Sequence, residues 1–305
     1  MFDLKKWCER YPALSLIGNT PLVRINLFED EFPDVQIYAK CEYLNPGGSL
    51  KDRPVRHMLL AALEEKKILP DITILDSSSG NAGIALAAIG AMLKVPVELV
   101  LPGNASEERK KRIRAHGATI IETPAEAGYD AAIREARRRR DENPKKYFMP
   151  DQYGNPQNWR SHYETTGAEI IEQLPEGITH FVAGCGTGGT ITGCGRRLKE
   201  YRKNIKVVMI DVDEKPGIEG LKPLKAGNIV PDIFDESVVD YRIPVSSEAS
   251  AETCRRLARN GLFFGLSTGG YLQGTHQVAK EIKKGVIVTI LNDIGERYFS
   301  TKLWG

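Results

Sequence analysis

Cysteine is scarce and poorly placed for a scaffold. The 305-residue chain has five: Cys8, Cys41, Cys185, Cys194 and Cys254. The number is odd and there is no CxxC pair, which argues against a disulfide framework and for a reducing compartment. The five histidines (His57, His116, His162, His180 and His276) lack metal-ligand spacing, so no metal is expected. Long apolar runs are also missing. The longest that reads as helical, 82–93, has 12 residues and contains two glycines, whereas a membrane span needs about 20. The N-terminal stretch MFDLKKWCER has no apolar signal core. Nor does one charge sign dominate: 42 Lys+Arg against 40 Asp+Glu leave +2, so no global field draws the chain to nucleic acid or membrane. The run Arg137–Arg140 is flanked by Asp130, Glu135, Asp141 and Glu142, the pattern of a wet helix face. Internal repeats and low-complexity linkers are absent.

An ordinary globular composition remains, 41% hydrophobic and 27% charged, with mean hydropathy −0.31. The chain is long enough for two domains with cores that need no staple, and a cytoplasmic protein is expected. Apolar β-branched runs predict strands over 20–26, 36–42, 73–76, 95–101, 119–122, 179–183, 206–212 and 286–291. Helical patterns fall between them, over 51–67, 81–93, 106–116, 129–143, 161–173, 190–202, 249–260 and 270–284. This alternation predicts an α/β fold with parallel sheets covered by helices on both faces. The loop-rich stretch 143–158 marks a crossing between two α/β halves. In such folds ligands bind beyond the carboxyl ends of strands.

Three strand-to-helix turns there have small residues where helix N–H groups lack partners and favour anions. The first is Asn45-Pro-Gly-Gly-Ser-Leu-Lys-Asp-Arg53. Ser49 and Asp52 form a capping-box pattern, placing Lys51 in the first helical turn against the helix dipole. An ammonium destabilised there makes a better amine nucleophile; position alone equally allows a solvated lysine beside Asp52. The second turn, Asp76-Ser-Ser-Ser-Gly-Asn-Ala-Gly83, offers hydroxyls and amides suited to a carboxylate, or simply a serine cap on a buried helix. The third, Gly184-Cys-Gly-Thr-Gly-Gly-Thr-Ile-Thr-Gly193, suits a phosphate. It also fits G-x-G-x-x-G at Gly184, Gly186 and Gly189, with Asp211 and Asp213 ending the next strand, so an NAD-dependent oxidoreductase is a rival reading.

Taken together, in this order, the turns resemble the cysteine synthase (O-acetylserine sulfhydrylase) family, B-type-like, of the tryptophan-synthase-β-like pyridoxal-phosphate enzymes. The resemblance begins at Ile17-Gly-Asn-Thr-Pro-Leu22. It runs through Asn45–Arg53, Ser78–Gly83, Gln152–Asn158, His162–Ile170, Gly186–Gly193 and Gly265–Gly269, and ends at Gly295-Glu-Arg-Tyr-Phe-Ser-Thr301. It implies fold type II: two open, twisted, mostly parallel sheets. It also implies a smaller mobile domain, 37–150, that closes on substrate, and a larger cofactor-phosphate domain, 1–36 with 151–305. Lys51 matches the lysine that bonds pyridoxal 5′-phosphate and moves the substrate α-proton. Gly186, Thr187, Gly188, Gly189 and Thr190 match the phosphate loop, and Asn81 the partner of the ring hydroxyl. Ser78, Ser79, Gly80, Asn81 and Ala82 match the substrate-carboxylate loop, with Gln152 across from it. Ser267 matches the serine facing the pyridine nitrogen.

The implied reaction is β-replacement on an activated serine, O-acetylserine or O-phosphoserine, by a sulfur nucleophile to give cysteine. Implied partners are a second copy of the chain, and a serine acetyltransferase tail or a sulfur-carrier protein. Three departures from the family pattern stand out: Ala82 for threonine, Thr268 for a second serine, and Asn292 for proline or cysteine. Lys222, in the loop 217–227, would favour a phosphate leaving group if it approaches it. Cystathionine β-synthase, serine/threonine dehydratase and a non-catalytic assembly partner are the other readings.

Overall fold

A computed structural model describes residues 2–175, 177–213, 217–224 and 230–305. The chain divides into two compact units, Met1–Ile17 with Asn45–Gln157, and Gly18–Leu44 with Asn158–Gly305. Strands and helices are numbered in chain order.

The first unit carries a parallel sheet ordered β5-β4-β3-β6, made of β3 (Thr73–Asp76), β4 (Val97–Pro102), β5 (Thr119–Thr123) and β6 (Tyr147–Phe148). Its helices are α1 (Leu4–Arg10), α2 (Asp52–Glu64), α3 (Asn81–Leu93), α4 (Glu107–Ala115) and α5 (Gly128–Glu142). Side chains alternate between faces along a strand, and here the alternation divides the core. Ile74, Leu99 and Leu101 pack with Val55, Leu59, Ile84 and Leu86 of α2 and α3. Leu75 and Val100 turn the other way, onto Ala132 and Ala136 of α5. Both faces are covered, as a parallel sheet requires.

The second unit carries a six-stranded sheet ordered β1-β2-β10-β7-β8-β9: β1 (Leu22–Arg24), β2 (Val35–Cys41), β7 (His180–Gly184), β8 (Lys206–Val212), β9 (Tyr241–Val245) and β10 (Gly285–Leu291). Among the described strands of this sheet, only the β1–β2 pairing is antiparallel. Phe181, Val182, Val207, Val208, Ile287 and Val288 are all fully buried, the unbroken apolar run of strands covered on both faces. The helices are α6 (Gln157–Ser161), α7 (Gly167–Gln173), α8 (Gly189–Tyr201), α9 (Ser247–Arg259) and α10 (Leu266–Ile282).

The unit limits differ from the expected 37–150, for two local reasons. Leu14 and Ile17 are buried in the first unit's core, and their carbonyls accept hydrogen bonds from the Arg56 guanidinium, so residues 1–17 go with α2. Residues 35–41 pair along their length with β10, which ties that strand to the second unit.

The helix expected over 161–173 is split: a π-helical turn, His162–Thr166, separates α6 from α7. The Thr165 hydroxyl donates to the Ser161 carbonyl there. Four short numbered elements were not anticipated: α1, β6, α6, which lies before the expected 161–173 except for Ser161, and β9. β9 holds Pro244 at the sheet edge, where the missing N–H costs no ladder bond.

Candidate active site

In the first unit, Lys51 is the N-cap of α2, one position earlier than expected, and half-buried. The capping also differs in detail. Ser49 Oγ accepts from the Lys51 amide at 3.2 Å, and Asp52 accepts from the Gly47 amide instead of from Ser49. The glycine turn causes this. Gly48 has φ +75°, and a Cβ on Gly47 would lie 2.3 Å from Asp52 Oδ1. The close approach of backbone to carboxylate therefore needs glycine.

The serine turn follows β3. Gly80 caps α3, a helix buried along most of its length. Asp76 holds the turn from below: its Oδ1 accepts from the Ser77 amide at 2.7 Å. Burial pushes its carboxyl up to about 6, against the opposing pull of the Ser77 and Ser78 amides, with Asp151 adding repulsion. A Cβ at Gly83 would sit 1.8 Å from the Ser78 carbonyl oxygen, so the α3 backbone itself backs the turn. The Ser79 amide donates to the Tyr129 hydroxyl at 2.7 Å, and the two hydroxyls are in contact. Sequence reading missed Tyr129; only α5 packing on this sheet brings it there. Because β3 and β6 are parallel, the serine turn and the 149–152 segment leave the same sheet edge, which places half-buried Gln152 on the side of Ser78–Ala82.

In the second unit, β7 leads through Gly184-Cys185-Gly186-Thr187 into α8. The N-cap is Gly188, in the left-handed region at φ +83°, and the Gly189 amide donates to Thr187 Oγ1 at 3.4 Å. Thr187 Oγ1 accepts from Asn158 Nδ2 at 3.0 Å. Thr190 Oγ1 pairs with His162 Nε2 at 3.3 Å, and His162 Nδ1 pairs with Thr166 Oγ1 at 2.9 Å. The π-helical turn thus braces the loop. A Cβ on Gly189 would come within 2.0 Å of Asn158 Oδ1, so this glycine serves close packing, while Gly188 sets the turn. The Lys222 amide donates to the Cys185 carbonyl at 2.7 Å. Burial pulls the Lys222 ammonium below the usual lysine range, opposed by the Cys185 thiol. Residues 225–227 of the loop expected to flank Lys222 lie outside the described residues.

Ser267 stands in the first turn of α10 and is buried. The Tyr271 hydroxyl, one turn on, donates to the Gly184 carbonyl at 3.3 Å, so the structure brings the start of α10, with Ser267, to the carboxyl end of β7, where the phosphate-type loop begins. Ser267 Oγ accepts from Asn292 Nδ2 at 3.1 Å, which directs the serine's own proton to another acceptor.

This donor set fits pyridoxal phosphate. A glycine-capped helix N-terminus with threonine hydroxyls suits a dianionic phosphate, and a buried hydroxyl whose oxygen already accepts a bond suits an aromatic nitrogen. Among the described residues, no group of three His, Cys, Asp or Glu is placed to hold a metal ion, and no helix is long and apolar enough to cross a membrane.

Comparison with known proteins agrees with this chemistry. Residues 13–293 match the family described as pyridoxal-phosphate dependent enzyme. A cysteine synthase of Aquifex aeolicus is 48% identical over 303 residues, covering 97% of this chain and 92% of its own. Among solved structures, a cysteine synthase from Entamoeba histolytica superposes with TM-score 0.89 at 33% identity, covering 96% of this chain and 90% of its own. An O-ureido-L-serine synthase does so with TM-score 0.88 at 34% identity, covering 96% and 94%.

Proposed function

The chain belongs to the pyridoxal-phosphate dependent enzyme family, and we propose that it is a cysteine synthase acting on O-acetylserine. The cysteine synthase relative supports a cofactor-dependent route from an activated serine to cysteine, and the identity of the leaving group is our own reading. The observation that carries the proposal is the pairing, at the carboxyl end of β7, of the Gly186–Thr190 turn with a buried serine, Ser267, whose hydroxyl is oriented as a donor. The same family assignment turns the G-x-G-x-x-G fit at Gly184–Gly189 away from a dinucleotide and towards the phosphate of pyridoxal.

In this reading Gly186, Thr187, Gly188, Gly189 and Thr190 hold the cofactor phosphate, Asn81 its ring hydroxyl, Ser267 its ring nitrogen, and Lys51 its aldehyde carbon. When bound, pyridoxal phosphate supplies the electron sink that makes the α-proton of an attached amino acid removable. Everything else falls to the chain. The amides and hydroxyls of Ser78–Ala82, with Gln152, orient the substrate carboxylate. Lys51 Nζ takes the α-proton as general base and later returns it. A serine hydroxyl is too weak an acid to keep a pyridine nitrogen protonated, so a long-lived carbanion is disfavoured. Loss of the α-proton is therefore coupled to breaking of the Cβ–O bond, and acetate leaves with its electron pair. A sulfur nucleophile then forms the Cβ–S bond. Such a site favours β-replacement over transamination.

The test is a visible spectrum of the purified protein with and without O-acetylserine, beside Lys51→Ala. The expected result is an absorbance that shifts on adding O-acetylserine and returns on adding sulfide. A protein that acquires no visible band from pyridoxal phosphate would overturn the reading. O-phosphoserine is the second substrate to try, because half-buried Lys222 adjoins the phosphate-type loop. Selective loss of O-phosphoserine turnover in Lys222→Ala would favour it. We also propose a homodimer, checked by light scattering for a mass twice 33.8 kDa.

A further inference from the structure

We propose that Asn292 is a positioning residue that fixes the direction of the Ser267 hydroxyl and so keeps the cofactor's ring nitrogen unprotonated. The inference rests on the assignment of Ser267 to that nitrogen.

Asn292 directly follows β10 and is buried, 1% exposed. Two bonds stitch it to the first turn of α10. Its side-chain Nδ2 donates to Ser267 Oγ at 3.1 Å, and its backbone amide donates to Thr268 Oγ1 at 2.9 Å. Thr268 is itself fully buried. Two of the three departures noted in the sequence, Thr268 and Asn292, therefore touch each other, and both act on the residue expected to face the pyridine. Thr268 anchors the Asn292 backbone, and Asn292 then presents its amide to Ser267.

The direction of that last bond decides the chemistry. A carboxamide can donate or accept. As donor, Asn292 occupies a lone pair of Ser267 Oγ and leaves the serine proton for an unprotonated ring nitrogen. As acceptor, it would take the serine proton and present only lone pairs to the ring, which suits a protonated nitrogen. The structure has the donor arrangement, and it comes at a cost. Among the described residues, the buried Asn292 Oδ1 has no hydrogen-bond partner. A buried polar atom left in that state calls for an explanation, and orienting Ser267 supplies one. Donation into Oγ also polarises the serine O–H and strengthens its own donation onward. A proline or a cysteine at this position would offer Ser267 no comparable donor.

The experiment uses full-length protein reconstituted with pyridoxal phosphate labelled with ¹⁵N in the ring. The ring-nitrogen resonance of the unaltered protein is expected at the unprotonated, hydrogen-bonded position across neutral pH. Asn292→Asp offers only acceptors, so Ser267 reverses and the resonance moves toward the protonated position, with a matching change in the visible band. Asn292→Leu, close in volume and unable to bond, gives a smaller displacement in the same direction and serves if the aspartate variant does not fold. A resonance unmoved in a folded, cofactor-loaded variant of either kind overturns the proposal. Ser267→Ala separates the two layers. If it too leaves the resonance unmoved, the assignment of Ser267 to the nitrogen fails, and the role of Asn292 falls with it.

Discussion

At the residue scale, the chemistry depends on side chains whose neighbours set their behaviour. Lys51 is assigned the proton transfer, so Lys51→Ala should cost about 10²–10⁴-fold in turnover and abolish the substrate-dependent spectral shift. Tyr129 is different. Its hydroxyl occupies the Ser79 amide, one of the donors assigned to the substrate carboxylate. Tyr129→Phe removes that competitor. A hydrogen bond of about 1 kcal/mol corresponds to roughly a fivefold lower KM at unchanged kcat, measured by steady-state kinetics. Asp76 makes a prediction about pH. Its carboxyl is raised from 3.8 to about 6 by burial, so between those values the folded chain binds more protons than the unfolded one. Stability should therefore fall as pH rises from about 4 through 6 and level off above. The loss would be roughly 3 kcal/mol, and Asp76→Asn should flatten it. Thermal melts across that range check both.

At the scale of elements, two glycines show how helices are joined to the site. Gly188 is left-handed, and a Cβ there would lie 2.7 Å from Phe234 Cβ. Gly188→Ala should destabilise the fold by about 1–3 kcal/mol and weaken cofactor retention, read by dialysis and melting. A Cβ on Gly83 would strike the carbonyl of Ser78. Gly83→Ala should displace the serine turn, raising KM more than tenfold while the cofactor band persists. The sequence pattern placed β3, β8 and α3 to the residue, because an apolar run bounded by polar turns leaves little freedom in where an element ends. It did not anticipate the π-helical turn at His162–Thr166. Hydrophobic periodicity counts apolar residues and does not register an extra residue that one turn absorbs for the sake of His162 and Thr190.

At the scale of the whole molecule, each unit has a sheet and a core of its own. A cofactor that binds the folded chain and not the unfolded one should stabilise it. At a hundredfold excess over Kd the gain is about 2.7 kcal/mol. A rise in the unfolding midpoint on adding pyridoxal phosphate, reduced in Lys51→Ala, is the expected outcome, followed by calorimetry.

The sequence by itself determined the alternating α/β plan, the three small-residue turns and the resemblance that assigns Lys51, the phosphate loop and Ser267. These are local matters: strand and helix periods, turn chemistry and motif order are all written within a few tens of residues. Only the tertiary structure decided which chain segments join which unit, because Leu14 and Ile17 are claimed by α2 and residues 35–41 by β10. It alone brought Tyr129 to Ser79, His162 to Thr190 and Asn292 to Ser267, contacts that span 50, 28 and 25 residues. Their geometry comes from how strands and helices pack, and no local pattern encodes the direction in which a buried amide meets a hydroxyl.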